Sequence, residues 1–147
     1  MIYNLVNWTL RQFGIEAEQI ARGDNNQLYL TRWIFKKNRD SNKHYLHCFH
    51  QSDHADFHDH PWPYRSLILW GGYWEVTPEG RKWYGPGTYL SRPATWKHQV
   101  QIPEGKKCWT YVIAGPKERE WGFWCKSGWR HWTAAELALQ QQGNVCA

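Results

Sequence analysis

The sequence predicts an antiparallel, all-β domain, either a barrel or a two-sheet sandwich, with one short helix at each end. The chain of 147 residues contains 12 Trp, 8 Tyr and 5 Phe, and aromatic side chains fit the pleated, half-buried surface of a sheet. From Leu28 onward, short apolar or alternating runs are separated by turns rich in Gly and Pro, which is the pattern of an antiparallel domain. This length is usual for one domain, so we expect a single domain over residues 1–147.

The N-terminal segment has the periodicity of a helix. Apolar residues recur at roughly helical spacing over residues 3–20, and Gly23, Asp24 and Asn25 then supply a stop. Residues 1–24 are therefore predicted to form an amphipathic helix that packs against the outside of the barrel.

The barrel is expected to span residues 28–125, and a Trp-rich tail is expected over residues 126–147. A short C-terminal helix is predicted over residues 133–142, where Thr133 and Glu136 have the spacing of a capping box. Nine strands are expected in the barrel, because turn residues separate nine apolar or alternating runs. They are residues 28–35, 45–50, 67–70, 73–76, 81–84, 88–90, 98–102, 108–113 and 121–125.

Charge and apolar patterning argue against two kinds of partner. The formal net charge is +5, but Lys and Arg are scattered, whereas a nucleic-acid-binding face clusters them, so nucleic acid is not an expected partner. No apolar run approaches the roughly 20 residues that span a bilayer, and Trp8 and Arg11 interrupt the stretch that a secretory signal would need. Since no CxxC motif is present, we predict a soluble protein of the reducing cytoplasm, with Cys108 and Cys125 as core thiols.

Histidines give the sequence its strongest chemical signal. Six of the eight lie between positions 44 and 60. Alternate side chains of a strand point to one face, so His58 and His60 are expected on the same side, close enough to share one ion. His98 is the remaining histidine in a later predicted barrel strand. The pattern predicts a metal site of these three histidines, with a hydrogen-bonded cluster that holds no ion as the alternative.

Two segments resemble the motifs of the cupin superfamily. Residues 58–60, HDH, followed by Gly72, resemble the first motif, an HxH with an acid four or five residues on and a glycine seven beyond the acid. Residues 93–98, PATWKH, resemble the second motif, PxGxxH, with Thr95 in place of its glycine. The motifs cover residues 52–98, and the strand pattern extends the resemblance over most of the chain. It implies a cupin jelly-roll β-barrel with a bound metal ion.

The first motif departs from the pattern at its acid position. Arg65 stands there, and an arginine cannot ligate a metal. A site of three histidines without an acid resembles the thiol dioxygenases of the superfamily, which implies Fe(II), although three imidazoles also accept Ni, Zn, Mn or Cu. In this interpretation Arg65 binds a substrate carboxylate, and Tyr111 directs its hydroxyl at an open position of the metal. In the alternative, Arg65 turns outward and the histidines are a vestigial or structural cluster.

Further polar residues are candidates to support the site. Glu75 substitutes for the missing acid if its strand faces inward. Tyr73, like Tyr111, is a candidate to direct its hydroxyl at an open position of the metal. Asp53, Asp56 or Asp59 is expected to orient a ligand imidazole by accepting its hydrogen bond. Four other histidines are expected to hydrogen-bond in strands and loops, with a second metal site as the alternative. They are His44, His47, His50 and His54.

Three functions are compatible with this pattern. The first is a mononuclear non-haem iron dioxygenase acting on a small metal-chelating substrate, and the second is a metal-dependent isomerase or lyase that consumes no oxygen. The third is a non-catalytic cupin that binds a small molecule. Because many cupins pair their barrels, we also expect a homodimer. The tail aromatics are expected to form core or dimer seam, and they are Trp121, Phe123, Trp124, Trp129 and Trp132.

Overall fold

The computed structural model of the protein describes residues 1–22, 27–36 and 42–147. These ranges contain two helices and twelve strands, and all strand pairings are antiparallel. This arrangement confirms the predicted all-β class with a helix at each end. The elements are α1 (Ile2–Gln12), β1 (Ala17–Arg22), β2 (Gln27–Lys36), β3 (Lys43–Phe49), β4 (Phe57–His58), β5 (Tyr64–Trp70), β6 (Tyr73–Thr77), β7 (Gly80–Tyr84), β8 (Tyr89–Arg92), β9 (Gln99–Gln101), β10 (Cys108–Ala114), β11 (Gly122–Cys125), β12 (Gly128–His131) and α2 (Trp132–Gln142).

The strands form three sheets of jelly-roll type. A six-stranded sheet has the order β1-β2-β3-β10-β5-β8, and two three-stranded sheets have the orders β12-β11-β4 and β7-β6-β9. Between β5 and β6 the chain turns at the glycine of the first cupin-like motif. Gly72 has φ +143°, and a Cβ there would lie 2.7 Å from the carbonyl oxygen of Tyr84, so only glycine fits this turn.

The N-terminal segment departs from its prediction after the first helix. The helix ends at Gln12, and the following Gly14 adopts φ +70°. Residues 17–22, predicted as helix, instead form β1, where Ile20 lies opposite Leu30 of β2. Backbone pairing at the sheet edge outweighs apolar spacing, which does not separate helix from strand over so few residues. The predicted stop at residues 23–25 lies outside the described residues.

Side chains of the large sheet alternate between the barrel interior and its outer face. On β10, Cys108 and Thr110 are buried in the interior, whereas Trp109 packs on the outer face. There it stacks on Trp33, with ring centroids 5.5 Å apart. Helix α1 covers this outer cluster, as predicted, through Tyr3 and other apolar residues. No helix in the described ranges is long and apolar enough to cross a bilayer.

The C-terminal tail contains features that were not predicted. Strand β12 forms a hairpin with β11, and α2 begins at Trp132 with His131 as its N-cap, whose Nδ1 accepts a hydrogen bond from the Thr133 N–H at 3.3 Å. The predicted capping box is wrong because the helix begins before Thr133. Cys125 forms a disulfide with Cys146, so its prediction as a thiol is also wrong, whereas Cys108 is a buried free thiol as expected.

Candidate metal centre

A cavity of about 190 Å³ lies inside the barrel. Aromatic and aliphatic side chains dominate the lining, and histidines supply most of its nitrogen atoms. The aromatic residues are Tyr29, Phe49, Trp62, Tyr64 and Tyr73, and the histidines are His47, His58, His60 and His98.

Three of these histidines meet at one end of the cavity, as predicted. The ring centroids of His58, His60 and His98 are 4.8–5.0 Å apart, and one nitrogen of each lies within 4.8 Å of the others. Reciprocal backbone hydrogen bonds join His58 to His98 at 3.0 and 3.1 Å, and the His60 N–H donates to the Ala94 carbonyl at 3.0 Å. The backbone of the two motif segments therefore fixes the spacing of the rings.

Glu75 supports this cluster by orienting one imidazole. It lies on β6, is 3% exposed, and accepts a hydrogen bond from His98 Nδ1 at 2.8 Å. Burial alone would raise the pKa of Glu75, but hydrogen bonds from His98 and Arg92 outweigh it and lower the pKa to about 2. The charged carboxylate keeps the proton of His98 on Nδ1, which leaves Nε2 with the lone pair that a metal needs. The inward orientation considered for Glu75 is thus observed, with a role as hydrogen-bond acceptor.

A second carboxylate lies behind another imidazole. Asp53 Oδ2 is 3.7 Å from His58 Nδ1, within ion-pair range. The carboxylate of Asp53 is held by the hydroxyl of Tyr29 and by the backbone N–H of Val100, which donates at 2.6 Å. Of the three aspartates expected to orient ligand imidazoles, Asp53 lies beside one of the three clustered histidines, at a distance longer than a hydrogen bond.

His60 is the third histidine, and its chemistry also suits a metal ligand. Its pKa lies well below 6.5, first because of burial and then because His58 and His98 are close, so the ring is neutral near pH 7. Its Nδ1 is buried without a hydrogen-bond partner among the described residues. Neutral imidazoles are common ligands of divalent first-row metals. The donor set of three histidines, two with carboxylates behind them, therefore fits a divalent ion.

Asp59, between the two motif histidines, points away from them. It is fully buried and accepts hydrogen bonds from the Gly122 N–H at 2.8 Å and from the indoles of Trp124 and Trp129 at 3.0 Å each. Arg119 lies 2.8 Å from its Oδ2. Asp59 therefore holds the C-terminal tail against the barrel and does not orient an imidazole.

Comparison with solved structures identifies the fold around this site. No protein-family model and no curated protein matches the sequence. The polyketide cyclase RemF from Streptomyces resistomycificus superimposes with a TM-score of 0.60 at 17% identity, covering 74% of this chain and 79% of that one. A cupin 2 conserved barrel domain protein from Rhodopseudomonas palustris gives a TM-score of 0.58 at 14% identity, covering 90% and 88%. This chain has the cupin fold.

The predicted cupin jelly-roll is thereby confirmed at the level of fold. A structure of Fe(II) HppE also superimposes on this chain, with a TM-score of 0.55 at 10% identity, covering 68% of this chain and 56% of that one. The closer resemblance to three-histidine thiol dioxygenases stays a prediction.

Neither Arg65 nor Tyr111 lines the cavity of this chain. Arg65 is exposed on the outer face of β5, so the outward alternative is the one observed, and its neighbours Tyr64 and Ser66 face the interior. The hydroxyl of Tyr111 lies 2.8 Å from Nδ1 of His44 on the outer face of the sheet. Strand alternation explains both positions, and it does not support the expected roles in carboxylate binding and metal coordination.

Sequence reasoning missed one aromatic residue beside the histidines. The ring of Tyr64 lies 4.7 Å from that of His60 and 6.3 Å from that of His98, measured between centroids. Burial raises the pKa of Tyr64 well above 10, so the phenol is protonated at neutral pH. Counting back by twos from the apolar Ile68 would have placed Tyr64 on the inner face, but the strand was predicted to begin only at Leu67.

The remaining candidates have separate environments. His50 Nε2 lies 2.9 Å from Thr31 Oγ1, and the ring of His54 lies 6.1 Å from that of Phe123. In the described ranges, the His58, His60 and His98 group is the one set of three potential ligands that comes together, so a second metal site is not supported. Of the tail aromatics, Phe123 is buried and Trp121 packs against its cluster and stacks on Trp132 at 6.0 Å, whereas Trp129 is 38% exposed.

Proposed function

We propose that this cupin is a metal-dependent enzyme in which His58, His60 and His98 hold one divalent ion. The observation that carries the proposal is the meeting of three imidazole nitrogens within 4.8 Å at the end of a cavity. Glu75 and Asp53 behind two of the rings favour the same interpretation, because ligand imidazoles usually donate their second N–H to a carboxylate.

The first candidate reaction is oxygenation of a small metal-chelating substrate by Fe(II). When bound, an iron ion held by three neutral ligands would supply redox chemistry and positions for a chelating substrate. The likeness to the Fe(II) HppE structure is consistent with iron in this fold. Ni, Zn, Mn and Cu suit the same three imidazoles, so the choice among these metals is a matter for measurement.

The protein residues around the site would bind the substrate and exclude water. The aromatic lining favours a flat or apolar body. No Lys or Arg lines the cavity within the described part of the chain, so a carboxylate of the substrate would find no cationic side chain there. A substrate carboxylate would therefore have to bind the metal ion itself, which differs from the anchoring role expected of Arg65.

The second candidate is a reaction without oxygen, in which the ion polarises a carbonyl and protons are transferred. The position of Tyr64 favours it, because a phenol beside His60 and His98 is suited to donate a hydrogen bond to a substrate bound at the histidines. The structural neighbour RemF is named as a polyketide cyclase. The alternative of a non-catalytic binder applies if no metal is retained.

Elemental analysis of protein purified without chelators tests the metal site. We expect about one equivalent of a transition metal in the wild type, loss of that metal in His60→Ala, and no change in His44→Ala. The control histidine lies on the outer face of the same barrel. Absence of metal from the wild type, even after anaerobic loading with Fe(II), would reject the proposal.

An oxygen electrode separates the two reactions. The Fe(II)-loaded protein is mixed with a panel of small thiols, diketones and catechols while oxygen and the organic products are followed together. Oxygen uptake lost in His60→Ala supports the dioxygenase. Substrate conversion with a flat oxygen trace supports the isomerase or lyase.

We also propose that the chain forms a homodimer. An apolar patch lies on the outer face at the β8 edge of the large sheet, where Leu67 pairs with Tyr89 and Leu69 and Trp70 are 45% and 63% exposed. A second copy would cover this patch, since large exposed apolar surfaces are unusual on monomers. Light scattering on a sizing column should give twice the chain mass for the wild type and the monomer mass for Leu69→Glu.

A further inference from the structure

Two polar side chains face the cavity on strands that lie apart from the three histidines. Thr110 of β10 and His47 of β3 are opposite each other in the antiparallel pair, and both line the cavity. Thr110 is 1% exposed. Its Oγ1 and the Nε2 of His47 are buried without a hydrogen-bond partner among the described residues.

These two buried polar atoms lack the hydrogen bonds that such atoms usually make. Buried polar atoms in folded proteins are nearly always hydrogen-bonded, and those that are not have lost water without replacing it. The chain offers a contrast in another buried threonine, Thr31, which is 0% exposed and has its Oγ1 2.9 Å from His50 Nε2. The two atoms at Thr110 and His47 are therefore suited to bind a group that enters the cavity.

The pair is distinct from the metal centre in its position. Thr110 also pairs with Ile68 of β5, which is four residues beyond Tyr64, whose ring contacts His60. Apolar side chains such as Phe49 and Val112 line the same cavity. The cavity thus has two polar regions in a largely apolar wall.

The charge of the cavity indicates what kind of group the pair would bind. Asp53 is the one charged side chain among the described lining residues, and it is engaged by Tyr29 and by the Val100 N–H. Burial, and secondarily Arg32, lower the pKa of His47 to about 3, so its ring is neutral. A charged ligand group would lose its hydration without gaining a counter-ion, whereas a hydroxyl or carbonyl needs only a hydrogen bond.

We propose that Thr110 and His47 form a second recognition point of the cavity, which binds a neutral hydroxyl or carbonyl group of a small aromatic substrate. Binding of the other end of this substrate at the three histidines rests on the proposed function. Aromatic side chains around the cavity supply the surface for the ring between the two ends. Thr110 and His47 would then select substrates, while the histidine cluster carries the reaction.

The test uses phenol and fluorobenzene, two rings of similar size of which one carries a hydroxyl. Dissociation constants are measured by ligand-detected NMR on chelator-treated protein, so that no metal contributes. We expect phenol to bind more tightly than fluorobenzene, and this preference to fall about fivefold to tenfold in Thr110→Val and in His47→Phe, the loss of one hydrogen bond. In labelled protein, phenol should also shift the Nε2 resonance of His47.

Thr31→Val is the matched control. It makes the same substitution at a buried threonine outside the cavity lining, and the phenol preference should stay within twofold of the wild type. Thermal unfolding adds a second contrast, because Thr31→Val removes a satisfied hydroxyl and should lower Tm, whereas Thr110→Val removes an unsatisfied one and should not.

An unchanged phenol preference in both cavity variants would overturn the proposal, as would failure of phenol to bind the wild type. The metal content of untreated protein is measured separately and does not depend on phenol binding. Failure of the recognition point is therefore distinguishable from failure of the proposed metal centre.

Discussion

Two buried carboxylates beside the histidine cluster serve different regions of the molecule. Glu75 receives its hydrogen bonds from His98, Arg92 and Trp96, so it acts on the cavity side. Asp59 lies between the two motif histidines in sequence, yet its partners belong to the C-terminal tail. Proximity in sequence to the clustered histidines therefore does not assign a carboxylate to that cluster.

The difference follows from side-chain direction. His58 and His60 face the cavity, so the residue between them faces the opposite way and meets the tail. Glu75 reaches His98 from a separate strand, because β6 lies beside β9 in the same small sheet. We thus expect loss of Asp59 to affect mainly stability, and loss of Glu75 to affect mainly metal affinity.

The largest effect is expected for Asp59→Asn. Removal of the buried charge leaves Arg119 without its ion pair and weakens three hydrogen bonds, so the free energy of unfolding should fall by roughly 3–5 kcal/mol. Urea denaturation measures it, with Asp56→Asn as a nearby control. Equal unfolding free energies for the two variants would contradict the structural role of Asp59.

The disulfide between Cys125 and Cys146 also anchors the C-terminal tail. Cys125 and Cys146 are 21 residues apart, and a closed loop of this length should contribute about 3 kcal/mol to the free energy of unfolding. Cys146→Ser should therefore unfold at lower urea than the oxidised wild type, and added reductant should abolish the difference. Two results together would show that the disulfide does not form in solution. Reductant would leave the urea midpoint of the wild type unchanged, and the intact mass after thiol alkylation would show no protected cysteine.

Glu75→Gln tests the other carboxylate. Glutamine keeps an acceptor for His98 Nδ1 but loses the charge, and such changes behind a ligand histidine weaken metal binding about 10–100-fold, or about 1.4–2.7 kcal/mol. Competition between the protein and a fluorescent chelator for Zn(II), a redox-inert probe, gives the affinity. Glu79→Gln, an exposed acid four residues on, should match the wild type, and equal affinity in both variants would remove Glu75 from the metal centre.

The smallest effect is expected for Arg65→Ala. Its side chain is exposed on the outer face of β5, so stability should change by no more than about 0.5 kcal/mol, and Zn(II) affinity should stay within twofold. A loss of metal or phenol binding in this variant would show that Arg65 acts on the cavity after all.

The sequence predicted the histidine cluster better than its surroundings. The meeting of His58, His60 and His98 was predicted from spacing, because the three residues lie on two short, recognisable cupin-like motifs. The direction of Arg65 could not be extrapolated, since Pro61 and Pro63 interrupt the alternation that begins at the HxH.

Contacts between distant segments were beyond the reach of sequence patterns. The bond from His98 to Glu75 joins residues 23 apart, and the bonds to Asp59 span 63 or more. Strand β1 was missed for a different reason, because a short apolar pattern suits a helix and an edge strand alike. Both kinds of error arise where tertiary pairing decides the outcome.

The partners of Asp59 also bear on how the protein is made. During synthesis the HDH segment leaves the ribosome long before residues 119–129, which provide the cation, the backbone N–H and the two indoles that Asp59 needs. Until these residues emerge, the Asp59 carboxylate lacks the hydrogen-bond partners that would replace its hydration. The HDH segment therefore reaches its mature conformation only after residues 119–129 have packed against Asp59.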